Sequence, residues 1–201
     1  NNTFNGYIDE LRITKGYARY TTAFTPSTGA FSASAPFGTS VLPSKSLRFR
    51  ASASAYLNRT PAVAGNQKTW TWSGWVKRGN LSAANTLFSQ GTGSFASGYG
   101  FLRFESNNIL DFVASIDGNT ASAYWESTPV YRDPAAWYHV VVALDTTQAT
   151  AANRLIIYIN GVVQTGTFST TPALNANIQF NRAAAHQLGV TNANGLANYF
   201  D

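Results

Sequence analysis

The sequence predicts an all-β protein, a two-sheet antiparallel β-sandwich of the jelly-roll type with no significant helix. Three observations predict it. Short segments rich in β-branched and aromatic residues recur about every ten residues. Asn160-Gly161, the residue pair that a two-residue type I′ hairpin requires, joins two such segments. No stretch carries apolar residues at the 3.6-residue period of a helix. At 201 residues the chain is long enough for one large domain with its own core.

The segment 69–78, Thr-Trp-Thr-Trp-Ser-Gly-Trp-Val-Lys-Arg, is predicted to be a central strand and holds three of the five tryptophans. Trp70 and Trp72 fall on one face of it and Trp75 on the other. A row of tryptophans also suits sugar stacking, but packing in a core is the favoured interpretation. The segment 137–144 is apolar on both faces and is therefore expected in the middle of a sheet. Further strands are predicted at 4–13, 47–50, 55–58, 86–89, 99–104, 109–116, 121–126, 154–160, 162–165, 178–180 and 186–190.

The composition narrows the possible functions. Lys and Arg number fourteen and give a net charge of +5, but they are spread along the chain, so no basic patch for nucleic acid is expected. No apolar run reaches eighteen residues, and no membrane insertion is predicted. The absence of cysteine excludes disulfides and thiolate metal sites. The absence of methionine indicates a processed product or a segment of a longer protein.

Six short segments of the chain together carry a family resemblance: Ser46-Leu47-Arg48-Phe49, Tyr56-Leu57, Trp72-Ser73-Gly74-Trp75-Val76-Lys77, Trp137-Tyr138-His139-Val140, Leu155-Ile156-Ile157-Tyr158-Ile159-Asn160-Gly161 and Gly6-Tyr7-Ile8-Asp9-Glu10-Leu11-Arg12-Ile13. They resemble the laminin-G-like domains of the concanavalin A-like lectin/glucanase superfamily, and the resemblance implies a concanavalin A-like jelly roll. The sequence of residues 59–79 is further similar to copies in bacteriophage tail and other virion proteins, which implies a virion or extracellular location.

The order of these segments is circularly shifted relative to the family, in which the segment found here at 6–13 closes the domain. Residues 1–28 are therefore interpreted as a C-terminal-type strand segment of a laminin-G-like repeat and residues 29–46, rich in Ser, Ala, Gly and Pro, as a linker. Residues 47–201 are interpreted as a sandwich that lacks its own last strand. The strand at 6–13 is expected to dock onto its own chain or onto a neighbouring copy.

Catalysis is not expected. The glucanase branch of the family carries acids spaced two and three residues apart on one strand, and no such set is present among the nine acids. Acids from distant segments, such as Glu105 with Asp111 or Glu126, remain able to converge. No Gly-x-Ser-x-Gly elbow is present. His139 is interpreted as a structural or surface histidine.

The resemblance also suggests a calcium ion at one rim, with Asp117, Asn119 and Asp145 as candidate ligands, because calcium needs several oxygen ligands from loops. The alternative is that these residues only cap turns. For glycans, the candidates are aromatic residues near loops and a neighbouring arginine: Tyr99, Tyr124, Trp125, Tyr131 and Arg132. The alternative for each is packing at the rim of the core.

Two functions therefore remain open. The first is a non-enzymatic structural, decoration or fibre module of a virus particle, which assembles through its sandwich edge with copies of itself or other virion proteins. The second is an adhesion module that binds cell-surface glycans. A glycoside hydrolase is the least favoured alternative, and fold alone does not choose among them.

Overall fold

The computed structural model describes residues 47–91, 98–115, 120–193 and 196–200, all within the compact unit Leu47–Asp201. The segments predicted at 1–28 and 29–46 lie outside the described residues. Two three-residue 3₁₀ turns, Ala51–Ala53 and Ala151–Asn153, are the helical elements of the described part. Its strands are β1 (Leu57–Arg59), β2 (Thr69–Val76), β3 (Asn85–Gln90), β4 (Tyr99–Phe104), β5 (Ile109–Ser115), β6 (Ala121–Val130), β7 (Tyr138–Asp145), β8 (Leu155–Ile159), β9 (Val162–Val163), β10 (Gly166–Thr170), β11 (His186–Leu188), β12 (Val190–Ala193) and β13 (Leu196–Tyr199).

These strands form two main antiparallel sheets. A seven-stranded sheet has the order β1-β11-β3-β4-β5-β6-β10, and a four-stranded sheet has the order β2-β7-β8-β9. Strands β12 and β13 form a separate hairpin. The inward side chains of both main sheets share one core, which includes Leu102, Phe104, Leu110, Phe112, Val140, Val142, Leu144, Leu155 and Ile157. The prediction of an all-β, two-sheet sandwich with essentially no helix is confirmed.

Strand β2 alternates as its sequence predicts. Trp70 packs on Phe112 and Phe180, with ring centroids 6.1 and 5.2 Å away, and Trp72 stacks on Phe88 at 6.0 Å. Trp75 points away from the core and is 60% exposed. The prediction that this strand is central is wrong, however. Among the described residues β2 pairs only with β7, so β2 is an edge strand of the described sheet and the apolar strand β7 lies inside it.

The predicted type I′ hairpin is present between β8 and β9. Ile159 pairs with Val162, which leaves two residues in the loop. Asn160 has φ 52° and Gly161 has φ 79°, and a type I′ turn requires positive φ at both positions. This short-range signal therefore identified both the turn and the register.

Other predicted strands need correction. Residues 47–50 are not a strand, and the strand predicted at 55–58 is found at 57–59. Residues 178–180 are irregular, although all three side chains are buried, because Ile178 and Phe180 fill the core without joining a ladder. Strands β10, β12 and β13 were not predicted. No helix in the described part of the chain is long and apolar enough to cross a membrane.

One buried arginine ties the sandwich together. Arg78, just after β2, is 1% exposed. Its guanidinium donates to Asn85 Oδ1 at 3.3 Å, Asn108 Oδ1 at 3.0 Å and the Tyr131 carbonyl at 2.6 Å. It also lies 4.6 Å from the centre of the Phe104 ring. Burial lowers the pKa of Arg78, and the three acceptors replace part of the hydration that the cation loses.

Candidate functional site

The candidate site lies on the outer face of the seven-stranded sheet, which is the face turned away from the four-stranded sheet. Along β4, Leu102 and Phe104 point into the core, so Phe101 and Arg103 point outward. The register extends this alternation to the neighbouring strands: Asp111 on β5 is opposite Arg103, and Glu126 on β6 is opposite Asp111. Three consecutive strands thus place charged side chains side by side.

We call Arg103, Glu105, Asp111 and Glu126 the charged row. Arg103 forms a salt bridge with Glu105, and its Nε lies 3.4 Å from Asp111 Oδ1. Its guanidinium carbon lies 4.0 Å from the centre of the Phe101 ring. The cation is therefore held between two carboxyl groups and an aromatic face. Its orientation is fixed before any ligand arrives, which reduces the entropy lost on binding.

Asp111 is the unusual member of the charged row. It is 1% exposed, and neither carboxylate oxygen has a hydrogen-bond donor of standard geometry, because the contact with Arg103 Nε is long. Burial raises the pKa of Asp111 well above its usual value, and the nearby Glu105 adds to the effect while Arg103 opposes it. When Asp111 is protonated, its hydroxyl can donate to Glu105, so the protonated form is the better satisfied one.

Aromatic rings border the charged row. Tyr99 stacks on Phe101 along β4, with ring centroids 5.7 Å apart. Tyr124 on β6 lies opposite Val113, on the same face as Glu126. Burial, together with Glu126, which also hydrogen-bonds the phenol, raises the pKa of Tyr124 to about 12. The Tyr124 hydroxyl is thus neutral at physiological pH and donates its one proton to Glu126.

The structure separates the five residues predicted for glycan binding. Tyr99 and Tyr124 lie on the outer face with the charged row. Trp125 and Tyr131 are core residues, 4% and 6% exposed, so neither ring has a face open to a sugar. Tyr131 packs edge-on against Phe104 and Tyr138 and donates its hydroxyl to Gln164 Oε1 at 2.8 Å. Arg132 is exposed in the connection after β6.

The predicted calcium site stays a prediction, because the structure describes only one of its three candidate ligands, Asp145. Asp117 and Asn119 lie outside the described residues. Asp145 uses its carboxylate in a local turn, accepting from the backbone N–H of Thr147 at 3.0 Å and from the Gln148 side chain at 2.6 Å. The Thr147 hydroxyl also donates to this carboxylate. It contributes most to lowering the pKa of Asp145, followed by the Gln148 side chain and the Thr147 N–H. Within the described ranges no group of three or more His, Cys, Asp or Glu side chains is placed to hold a metal ion.

Both histidines make structural contacts. His139 on β7 faces outward and stacks on Trp75, with ring centroids 4.9 Å apart. His186 lines an open cleft of about 340 Å³ beside β1. Its Nε2 accepts from the Asn181 N–H at 3.0 Å, and its Nδ1 lies 2.8 Å from the Ala184 carbonyl, which selects the Nδ1–H tautomer. Burial lowers the pKa of His186, so it stays neutral with both ring nitrogens engaged.

The sequence profile of the family Laminin_G_3, described as the concanavalin A-like lectin/glucanases superfamily, matches residues 49–201. The chain belongs to this superfamily. No curated protein matches it by sequence. Among solved structures, the Ruminococcus gnavus IT-sialidase CBM40 bound to α2,6-sialyllactose is 13% identical, with a TM-score of 0.51 over 73% of this chain and 86% of that one. The same module bound to α2,3-sialyllactose gives a TM-score of 0.48 at 13% identity over the same shares.

A more distant likeness is to the heptameric SAP-like pentraxin of Limulus polyphemus, which is 11% identical with a TM-score of 0.38 over 67% of each chain. At these identities the likeness concerns the fold alone. The function of this superfamily member must therefore be argued from its own residues.

The sequence indicates that Glu105, Asp111 and Glu126 can converge, but it does not show which of them are neighbours or that Arg103 lies among them. Asp111 and Glu126 are fifteen positions apart, and only the β5–β6 register makes them neighbours. A usable signal was present. Arg103 and Asp111 each interrupt a strand at an outward position between two apolar residues that point into the core, and Glu126 follows the core residue Trp125. Pairing those interruptions across consecutive predicted strands would have suggested the row.

Proposed function

We propose that this domain is a non-catalytic carbohydrate-binding module that takes its ligand on the outer face of the seven-stranded sheet, outside the cell. The observation that carries the proposal is the charged row lying beside the aromatic side chains of that face. Glycan recognition combines a few fixed polar groups with an apolar surface, and this face offers both. The name of the superfamily, which covers lectins and glucanases, agrees with a saccharide ligand.

Each group of the face has a task suited to a sugar. Glu105 and Glu126 are partly exposed and accept hydrogen bonds from hydroxyl groups, and bonds to ionised acceptors are about twice as strong as neutral ones. The Tyr124 hydroxyl donates its proton to Glu126 and can accept from a sugar hydroxyl, and its ring offers an apolar surface to the C–H face of a sugar. Arg103 donates through whatever guanidinium hydrogens Glu105 leaves open. Asp111 is a positioning residue, because its burial keeps it from direct contact.

Binding without hydrolysis is the better-supported activity. Side chains directly opposite on paired strands have Cβ atoms about 4.5–5.5 Å apart, so Asp111 and Glu126 are close enough to resemble the carboxyl pair of a retaining glycosidase. A general acid must however reach the glycosidic oxygen. Asp111 is 1% exposed and faces Arg103 and Glu105, so it has no path to that atom.

The experiment is a glycan array followed by titration calorimetry on the best ligand. Replacing Tyr124 with Ala should weaken binding at least about tenfold, because one stacking surface and one hydroxyl contact are lost. Trp75→Ala is the matched control, since it removes an exposed aromatic from the other sheet and should leave affinity unchanged. Unchanged affinity in Tyr124→Ala, or loss in Trp75→Ala alone, would move the site away from the outer face.

A second candidate function is supported by the two edges of the four-stranded sheet. Trp75 on edge strand β2 is 60% exposed, and Val162 and Val163 on β9 are 63% and 57% exposed. Exposed apolar residues on sheet edges favour pairing with another chain. We propose on this basis that the module also assembles with copies of itself or with other proteins of a virus particle, as a decoration or fibre component.

Sedimentation velocity tests the second candidate. The unaltered chain should associate with rising concentration, and Trp75→Lys combined with Val163→Lys should return it to a monomer with unchanged circular dichroism. Glycan affinity should survive these changes, because the two surfaces lie on different sheets. A chain that is monomeric at all concentrations would remove the support for assembly through these edges.

A further inference from the structure

The charge balance of the outer face bears on which saccharides it accepts, and this inference rests on the proposed function. The charged row contains one cation and three carboxyl groups. Even with Asp111 protonated, Glu105 and Glu126 leave a net negative charge. Thr167, which lies opposite Glu126 on β10, adds no charge. The positive net charge of the whole chain, +5, is therefore not found at this face.

Arg103 is already occupied. Glu105 pairs with it in a salt bridge, Asp111 Oδ1 lies 3.4 Å from its Nε, and the Phe101 ring covers it at 4.0 Å. A carboxylate on a sugar is bound best by an arginine that presents two free N–H groups in parallel. To offer such a fork, Arg103 would have to give up Glu105. That exchange gains little, since one carboxylate only replaces another and leaves Glu105 partly buried and unpaired.

The hydrogen-bonding capacity of the face points in the same direction. Ionised Glu105 and Glu126 only accept hydrogen bonds, so their partners must be donors. Sugar hydroxyl groups and the N–H of an N-acetyl group are donors, whereas the carboxylate of a sialic or uronic acid is an acceptor. An anionic sugar would thus set acceptor against acceptor, as well as negative charge against negative charge.

We propose that the outer face binds uncharged saccharides rich in hydroxyl or N-acetyl donors and discriminates against sialylated and uronic saccharides. The discrimination is expected to be at least about tenfold within a matched pair, since like charges brought into contact at a partly buried site cost at least that much. It is also expected to weaken at high salt, because screening reduces the repulsion.

The test uses matched pairs that differ only in charge: lactose against α2,3- and α2,6-sialyllactose, and neutral oligosaccharides of an array against the same chains ending in glucuronate. Affinities are measured at 0.15 M and 1 M NaCl. The neutral member of each pair should bind more tightly, and the gap in affinity between the two members should narrow in high salt. An anionic member that binds equally or more tightly overturns the inference while leaving the proposed function intact.

Charge-removing variants separate electrostatics from shape. Glu126→Gln keeps the size of the side chain and should narrow the gap within each pair about threefold to tenfold, as should Glu105→Gln if Glu126→Gln proves unstable. Asp133→Asn is the matched control, because it removes one negative charge from an exposed loop whose contact with the Ala135 N–H the amide can keep. A gap unchanged in both Glu variants contradicts the inference. Failure of both members of every pair to bind contradicts the proposed function itself.

Discussion

Replacing Trp72 with Ala tests whether the tryptophans of β2 hold the fold or contact a ligand. Trp72 faces the core and stacks on Phe88 at 6.0 Å, and the end of its ring lies about 3.1 Å from the position a Cβ would take on Gly74. Truncating a buried tryptophan costs about 3–5 kcal/mol through lost transfer energy and a residual cavity. Because Trp72 is only partly buried, we expect the low end, about 3 kcal/mol.

This free energy converts into a measurable melting shift. Unfolding entropy is about 2.1 cal/mol/K per residue, so for the compact unit 47–201 about 3 kcal/mol corresponds to roughly 9 °C. Trp75→Ala provides the comparison on the same strand. Trp75 is 60% exposed and stacks only on one side, on His139, so its loss should cost about 1 kcal/mol or less, near 3 °C.

Thermal melting followed by far-ultraviolet circular dichroism gives the melting temperature, and urea titration gives the free energy of unfolding. Neither measurement depends on tryptophan fluorescence. Equal losses in Trp72→Ala and Trp75→Ala would refute the assignment of inward and outward faces. Retention of the melting temperature in Trp72→Ala with loss of glycan binding would show that the tryptophan row is a ligand platform.

Burial raises the pKa of Asp111, so the folded chain keeps this proton to a higher pH than the unfolded chain does. The free energy of unfolding should therefore fall as pH rises above about 4, by at most about 1.4 kcal/mol per pH unit, and Asp111→Asn should flatten that fall. Parallel curves for the two proteins would contradict this prediction. Gly161→Ala, at φ 79°, should cost about 1 kcal/mol in urea titration, and no cost would argue against the type I′ geometry. Deleting residues 1–28 should convert an oligomer into aggregating monomers, rescued by a peptide of residues 4–14, if that segment docks in trans; a soluble, unchanged monomer would exclude docking.

Local rules predicted those parts of the fold that local forces decide. The alternation in β2 and the Asn160-Gly161 turn are properties of a few adjacent residues, and both are found as expected. Residues 178–180 show where such rules fail. This segment is largely apolar because it fills the core beside Trp70 and Phe88. That requirement comes from tertiary packing, so it does not imply a strand. The edge position of β2 is likewise invisible in its own sequence.

The candidate site was harder to predict than the fold because its parts meet only across strands. Of the aromatic residues chosen from the sequence, Tyr124 and Trp125 are adjacent, yet one lies on the outer face and the other in the core. A shift of one position changes the face, so proximity to a loop could not separate them. The register of β6 with β5 supplies that information and also places Glu126 opposite Asp111.

Strand β5 shows how stability and binding are divided within one segment. Leu110 and Phe112 are 0% and 1% exposed and stabilise the core, whereas Asp111 between them buries a carboxyl group without a well-placed donor. An apolar residue of similar size at 111 would avoid that desolvation cost, so the acid makes the fold less stable than it need be. Such costs are typical of functional sites, where stability is given up for a fixed polar group. Because Asp111 and Glu105 together hold Arg103, the cost falls beside the residue that the proposed function uses as an oriented donor. This is a physical reason to place the ligand on the outer face and not at the edges of the other sheet.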